Sequence, residues 1–428
     1  MHAAAVAATE ELDLRPIATE RTPPVLEWIF KYSQQFTKLT LKTKSRVLDS
    51  LPCPNLLELD LSCDVKLGEA ADCQSGLFDV CTKLTCLELW CNIVDAPAGA
   101  VLDSLSSLVH LQHLEVRLIP PGSMYTLGGL SSATLPRLQH LTCLQFLCLS
   151  VENLLQLGTL TSLQDLWLRV CDSAGDVAIG PSSVPGLKFP ASLKTLLLLS
   201  PVEAGLLSCV PTGLESLKVA DHVEGPAEGP SSFLSCIARL QHLTELDLAL
   251  LTYWIPASPA YSALTSSSNL VELLLSFSCP KGVWQFVFPA ACKMPHLTYL
   301  YLGDRDEFDG NGGAGDAVAP SWSAADLSSL VSCCPGLRDI ECLHLQPEPH
   351  AHASELQQLT ALQSLTRLCV CYGPEVHPLT LKSSMDGLTA VTQLRDLLVI
   401  ALGDEFTYAY LLPLTRLAAL TALRVDRD

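Results

Sequence analysis

Several groups of residues have the types and spacing from which chemistry is built. Cys81, Cys86 and Cys91 recur every five residues. Zinc sites draw on short cysteine pairs that converge tetrahedrally, and Cys81 and Cys86 fall on different parts of one structural unit, so no shared ion is expected. Cys369 and Cys371 share a face without an evident third ligand, and His350, His352 and Glu355 sit in a proline-rich connector where solvation is expected. Gly310, Gly312 and Gly315 spell a dinucleotide-binding fingerprint, but that motif needs a helix opening directly after the third glycine. Here Asp316 and Pro320 follow, and Asp304, Asp306, Glu307 and Asp309 repel phosphate. The same segment, 303–316, aligns with a calcium loop through Gly310 and Asp316, with Arg305 in the first ligand position. A flexible insertion is the expectation. His113, His140 and His242 share the string Leu-Gln-His-Leu, a recurring slot rather than a general base. There is no nucleophile elbow, phosphate-binding loop or His-Glu-x-x-His. No catalytic residue, cofactor or metal is expected.

The elements that position these residues follow from an internal period. The pattern Leu-x-x-Leu-x-Leu, with occasional Ile, Val, Phe or Cys, is clearest at Leu84, Leu87 and Leu89, with Asn92 following. Other copies begin at Phe36, Leu56, Leu111, Leu144, Leu163, Leu193, Leu214, Leu243, Leu270, Leu297, Leu337, Leu365, Leu394 and Leu420, fifteen in all. Their mean spacing is about 27 residues, and Arg-Leu-Gln-His-Leu-Thr occurs verbatim at 137–142 and 239–244. Fourth and sixth positions lie two apart, so on a strand they face the same way. One such unit cannot bury its leucines; stacked units can. Leu102, Leu105 and Leu108, spaced by three, predict short helices between strands. The expected fold is α/β: a leucine-rich solenoid with a parallel sheet on its concave face and helices or turns on the convex one.

Cys53-Pro-Asn-Leu56 and Cys334-Pro-Gly-Leu337 extend the pattern. Over about 390 residues the chain resembles the leucine-rich-repeat superfamily. In these two motifs it is similar to the cysteine-containing repeats of F-box proteins, and in its repeat set to leucine-rich-repeat families of green algae. The ninth-position Asn or Cys of that family is kept at Asn92 and Cys171. The resemblance implies recognition of a protein partner, with substrate selection for a ubiquitin ligase as the leading version. No F-box is evident ahead of the repeats. A scaffold on cytoskeletal or ciliary assemblies is the alternative, and an enzyme regulator or unrecognised hydrolase a remote one.

Composition agrees with a packed repeat. The chain has 428 residues, 49% hydrophobic and 17% charged, with a net charge of −19. That sign argues against non-specific nucleic-acid binding and against docking on anionic lipid. An N-terminal Ala/Val run followed by Glu10, Glu11 and Asp13 does not look like a leader, no apolar run is long enough for a membrane span, and the 18 cysteines form no paired framework. A reduced cytoplasmic or nuclear setting is expected. Residues 1–35 are expected to be a flexible segment and cap, and residues 36–428 the solenoid. Insertions are expected in the 33-residue gap carrying Pro120-Pro121-Gly122 and the 40-residue gap carrying Gly303 to Pro320. The last repeat runs to Val425, and an edge open to self-association is expected there.

Third, fifth and seventh positions of each copy point away from the core. Trp, Tyr and Arg dominate binding hot spots, and a patch of Trp90, Arg117, Phe146, Trp167 and Arg169, flanked by His113, Glu115 and Asp165, is the expected partner surface. Glu245, Asp247 and Glu272 form a second, acidic candidate suited to a basic segment, with Tyr299 and Tyr301 beside them. Between Trp28 and Leu48, Lys31, Lys38, Lys42, Lys44 and Arg46 are met by no acidic residue, a basic start suited to an acidic partner.

Overall fold

The computed structural model describes residues 11–17, 31–43, 53–63, 78–92, 105–119, 133–172, 175–220, 223–224, 229–249, 259–276, 282–289, 291–302, 322–345, 356–372, 378–401 and 407–426. The segments 303–321 and 346–355, with the glycine fingerprint, the calcium alignment and His350, His352 and Glu355, lie outside them. So does Pro120-Pro121-Gly122. Two compact units divide the chain, Met1–Pro211 and Thr212–Asp428.

The first unit carries β1 (Glu11–Ile17), β2 (Lys38–Thr43), β3 (Glu58–Cys63), β4 (Cys86–Asn92), β5 (His113–Ile119), β6 (Cys143–Leu149), β7 (Asp165–Asp172), β8 (Gly175–Asp176), β9 (Thr195–Leu198) and β10 (Val202–Glu203). β1 to β7 pair in sequence order, all parallel, and β7 pairs with β9. The two-residue β8 folds back antiparallel on the end of β7. The second unit carries β11 (Ser216–Val219), β12 (Val223–Glu224), β13 (Glu245–Ala249), β14 (Glu272–Ser276), β15 (Tyr299–Leu302), β16 (Asp339–Leu345), β17 (Arg367–Tyr372), β18 (Asp396–Ala401) and β19 (Ala422–Asp426). β11 and β13 to β19 again pair parallel and in order.

Each of the fifteen repeat copies supplies one strand, and the leucines go where the spacing demands. In β4, Leu87 and Leu89 are buried while Cys86, Glu88 and Trp90 point the other way, and Leu84 closes the turn before the strand with no exposure. Copies are joined at the start of each strand by a carbonyl that accepts two successive N–H groups from the next copy. Thr85 and Cys86 donate to Leu57 O, Gln112 and His113 to Thr85 O, Thr142 and Cys143 to Gln112 O. The same step recurs through the second unit, from Glu215 to Arg395. Threonine hydroxyls at several of these second positions add a third donor, as Thr85 Oγ1 does to Leu57 O at 3.0 Å and Thr244 Oγ1 to Glu215 O at 3.0 Å. The backbone groups at each strand start are thereby satisfied within the protein.

Three expectations need correction. Residues 11–17, expected ahead of the repeats, add a strand to the sheet: β1 lies parallel to β2 with Leu12 opposite Leu39 and Leu14 opposite Leu41. The fifth copy begins at Leu141, because Cys143 pairs with His113 and Leu144 with Leu114. The intervals around it are then 30 and 22 residues, and the 33-residue gap disappears. The leucine triplets spaced by three form short 3-10 turns, as at Leu105–Ser107, Leu135–Arg137 and Leu157–Thr159. Three residues per turn is the 3-10 period. Among the described residues the longer α-helices, Gly229–Ile237, Ala324–Cys333 and Pro378–Leu388, lie in the second unit. Ala324–Cys333 opens with a capping box in which Ser323 Oγ accepts from Asp326 N and Asp326 Oδ2 accepts from Ser323 N.

The Cys-Pro-x-Leu motifs seat one copy against the last. Cys53 and Cys334 are fully buried. Asn55 donates to Gln34 O at 2.9 Å, and Gly336 fits because a Cβ there would lie 2.6 Å from Pro295 O. At β19, Leu423 stands where other copies bury their fourth-position leucine, yet it is 41% exposed. Leu246→Ala, at a site with no exposure, is expected to cost about 2–5 kcal/mol, while Leu423→Ala should cost under about 1 kcal/mol. Urea denaturation followed by circular dichroism checks both.

Candidate functional site

In the first unit, third, fifth and seventh positions form three rows across one face of the sheet. The third-position row runs Lys38, Glu58, Cys86, His113, Cys143, Asp165; the fifth runs Thr40, Asp60, Glu88, Glu115, Gln145, Trp167. Every core-facing residue opposite them is a buried aliphatic or Phe146. Register, burial and the strand-start ladder together decide the fold. In fold, this is a leucine-rich-repeat stack.

Among known proteins, no family model matches the chain and no curated protein matches it. Among solved structures it is similar to a leucine-rich-repeat protein of Leptospira interrogans, at 14% identity and a TM-score of 0.43, with 97% of this chain and 99% of that one covered.

Within the leucine-rich-repeat sheet, the predicted aromatic patch is partly assembled. Trp90 on β4 and Trp167 on β7 are each 36% exposed on the outer face. They are three strands apart, about 14 Å at the usual strand spacing, so they mark a broad surface, not one pocket. Arg117 on β5 is opposite Trp90; its guanidinium lies 4.1 Å from the ring centroid, and its Nε is 2.5 Å from Glu115 Oε1. The carboxylate holds the arginine over the indole, so cation–π attraction and ion pairing fix one conformer. Asp165 and Arg169 lie half-buried beside Trp167. Phe146 does not belong to the patch. With the fifth copy starting at Leu141 it takes the sixth position, opposite Val116, and is 1% exposed.

The three Leu-Gln-His-Leu strings occupy two kinds of place. His140 and His242 precede the first leucine of their copies, on the exposed turn, and His140 stacks on the equivalent His110 with centroids 6.2 Å apart. His113 follows the first leucine and lies half-buried on the sheet. There it forms a group with Cys86 and Glu88, whose potential ligand atoms all lie within 4.8 Å of one another. Burial pushes the Cys86 thiol up to about 11, reinforced by Glu88 and Glu58. Burial also raises Glu88, helped by Glu115 and Asp60 on either side. Cys81 is buried in the turn before β4, away from this group.

The second unit's outer face differs. Glu245 pairs with Lys218 at 2.5 Å and accepts from Ser216 at 2.8 Å, and Asp247 is only 6% exposed. Of the three predicted acidic residues, Glu272 alone is exposed, so they do not form an open acidic surface. Tyr301 is buried with Leu274, Cys369, Cys371 and Ile400, an apolar cluster on outward positions that the spacing rule assigned to solvent. Tyr299 is half-buried and donates to Glu341 Oε2 at 2.8 Å; burial, then that carboxylate, raises its phenol. Arg367 ties the strands together, reaching Glu341 at 2.8 Å, Asp339 at 3.4 Å and Asp396 at 3.6 Å, while Arg424 meets Asp396 at 3.2 Å. The opposite charges at third and fifth positions were the available sequence signal for this ladder.

Burial lifts Asp339 to about 6 from 3.8, against the pull of Arg367. The native carboxyl therefore keeps its proton where an unfolded one has lost it, and its contribution to stability falls as pH rises from about 4 to about 6. Asp339→Asn removes that fall. Its stability relative to wild type should rise by about 1–2 kcal/mol between pH 4 and pH 7, discounted for partial solvent screening, and denaturation midpoints across that range check it.

Proposed function

We propose that the protein is a non-catalytic recognition module that binds a protein partner across the outer face of its first unit. Leucine-rich-repeat stacks present extended surfaces suited to large partners. The observation that carries the reading is the pair of one-third-exposed tryptophans with Arg117 held over one of them. Exposed indoles on a strand face leave apolar area in water unless another surface covers them, and Trp and Arg are the types that anchor interfaces. Glu115, Asp165 and Arg169 surround the indoles with polar groups that fix orientation.

In the finer version, the module selects substrates for a ubiquitin ligase; a scaffold for larger assemblies uses the same face. Both require the same partner contact. Among the described residues, no helix is long and apolar enough to cross a membrane.

The double substitution Trp90→Ala/Trp167→Ala should leave the circular dichroism unchanged and weaken partner binding by at least about 30-fold, corresponding to roughly 2 kcal/mol or more. Affinity purification with mass spectrometry, wild type beside variant, reads the result. Partners that disappear with the indoles support the reading, and a cullin adaptor among them marks the ligase version. An identical partner list for both chains would overturn it.

A further inference from the structure

The outer face of the first unit carries a second feature, which shares His113 with the rim of the expected partner surface. Cys86, Glu88 and His113 come from adjacent strands. Cys86 and His113 are opposed in the third-position row, and Glu88 is two residues along β4 on the same face. All three are half-buried, and one potential ligand atom from each lies within 4.8 Å of the other two. Among the described residues this is the only such group of three.

We propose that Cys86, Glu88 and His113 form a zinc-binding site. The donor set is a thiol, an imidazole and a carboxylate, all standard zinc ligands. A thiol and an imidazole favour zinc over magnesium or calcium, which take oxygen. In a tetrahedral site with ordinary zinc bonds, ligand atoms stand about 3.3–3.8 Å apart. Side-chain rotation on a fixed sheet closes the remaining distance of about 1 Å. The strands hold the backbone in register, so little ordering is left to the metal.

The charges around the group favour a cation. In the fifth-position row, Asp60, Glu88 and Glu115 lie side by side on three successive strands. The cations next to this row are engaged with the outer two strands' carboxylates or their neighbours: Lys38 pairs with Glu58 at 3.2 Å, and Arg117 with Glu115 at 2.5 Å and with the Trp90 ring. Glu88 in the middle feels Glu115 and Asp60 more strongly than the opposing His113 and Arg117, and a divalent ion between it, Cys86 and His113 relieves that repulsion. Cys143 flanks His113 on its other side in the same row. Binding displaces the Cys86 proton and leaves the histidine neutral, as thiolate and imidazole ligation requires.

The test uses the full-length chain under reducing conditions. Zinc is titrated against a chromophoric chelator, and cobalt is substituted to read the ligands. One equivalent of zinc should resist the chelator, and Cys86→Ser and His113→Ala should each weaken it at least tenfold. Cys209→Ser, which removes a partly exposed thiol elsewhere in the unit, should leave it unchanged. The cobalt form should show a thiolate-to-metal charge-transfer band that Cys86→Ser abolishes. Circular dichroism confirms that each variant is folded, and Glu88→Gln replaces any that is not. Zinc held equally by wild type, Cys86→Ser and His113→Ala, no zinc held at all, or a cobalt spectrum without a thiolate band would each overturn the assignment.

Discussion

No copy of this repeat can cover its own leucines, and everything else in the structure depends on that. Leu87 and Leu89 lose water only because Leu59 and Leu61 lie on one side and Leu114 and Val116 on the other. The carbonyl at each strand start, accepting two amides from the next copy, fixes the register in which this happens. A slip of one residue would turn every leucine outward and every acid inward. The outer rows are therefore as tightly specified as the core. Trp90 meets Arg117, and Cys86 meets His113, because the leucines between them leave no other alignment.

How much of this was legible in the chain can be judged from particular residues. The fifteen strands and their buried positions follow from spacing alone, since period two admits only one face. The frame of the fifth copy did not. Leu141, Leu144 and Phe146 fit the pattern, and so do Leu144, Leu147 and Leu149; pairing with β5 selects the first set. Phe146 consequently belongs to the core rather than to a binding patch. The string Leu-Gln-His-Leu hid a similar ambiguity, because its histidine lies on a turn or on the sheet according to which leucine opens the copy. β1 escaped notice because it is a short alternation, Leu12 and Leu14 among charged residues and Pro16, without the leading leucine of a full copy.

Burial on the outer face was the least legible property. It is set by neighbouring strands and not by a residue's own copy. Asp247 and Tyr301 occupy positions that the repeat assigns to solvent, yet both are nearly covered. The two units also use those positions differently. The first leaves indoles open beside a sulfur, imidazole and carboxylate group; the second fills the same rows with an apolar cluster edged by an arginine–carboxylate ladder. One scaffold rule thus yields two surfaces of distinct chemistry, because the rule constrains only the alternate residues that face inward.

The thiols distributed through the repeats carry a separate consequence. Burial lifts Cys53 to about 12 and Cys86, Cys143 and Cys292 to about 11, so at neutral pH they are almost entirely protonated. Alkylating reagents and peroxide attack the thiolate, and these four thiols are for that reason slow to react while folded. Each of these cysteines becomes vulnerable when its own copy opens. The chain thus carries built-in chemical clocks at several points along its length, able to date the fraying of one repeat apart from the next.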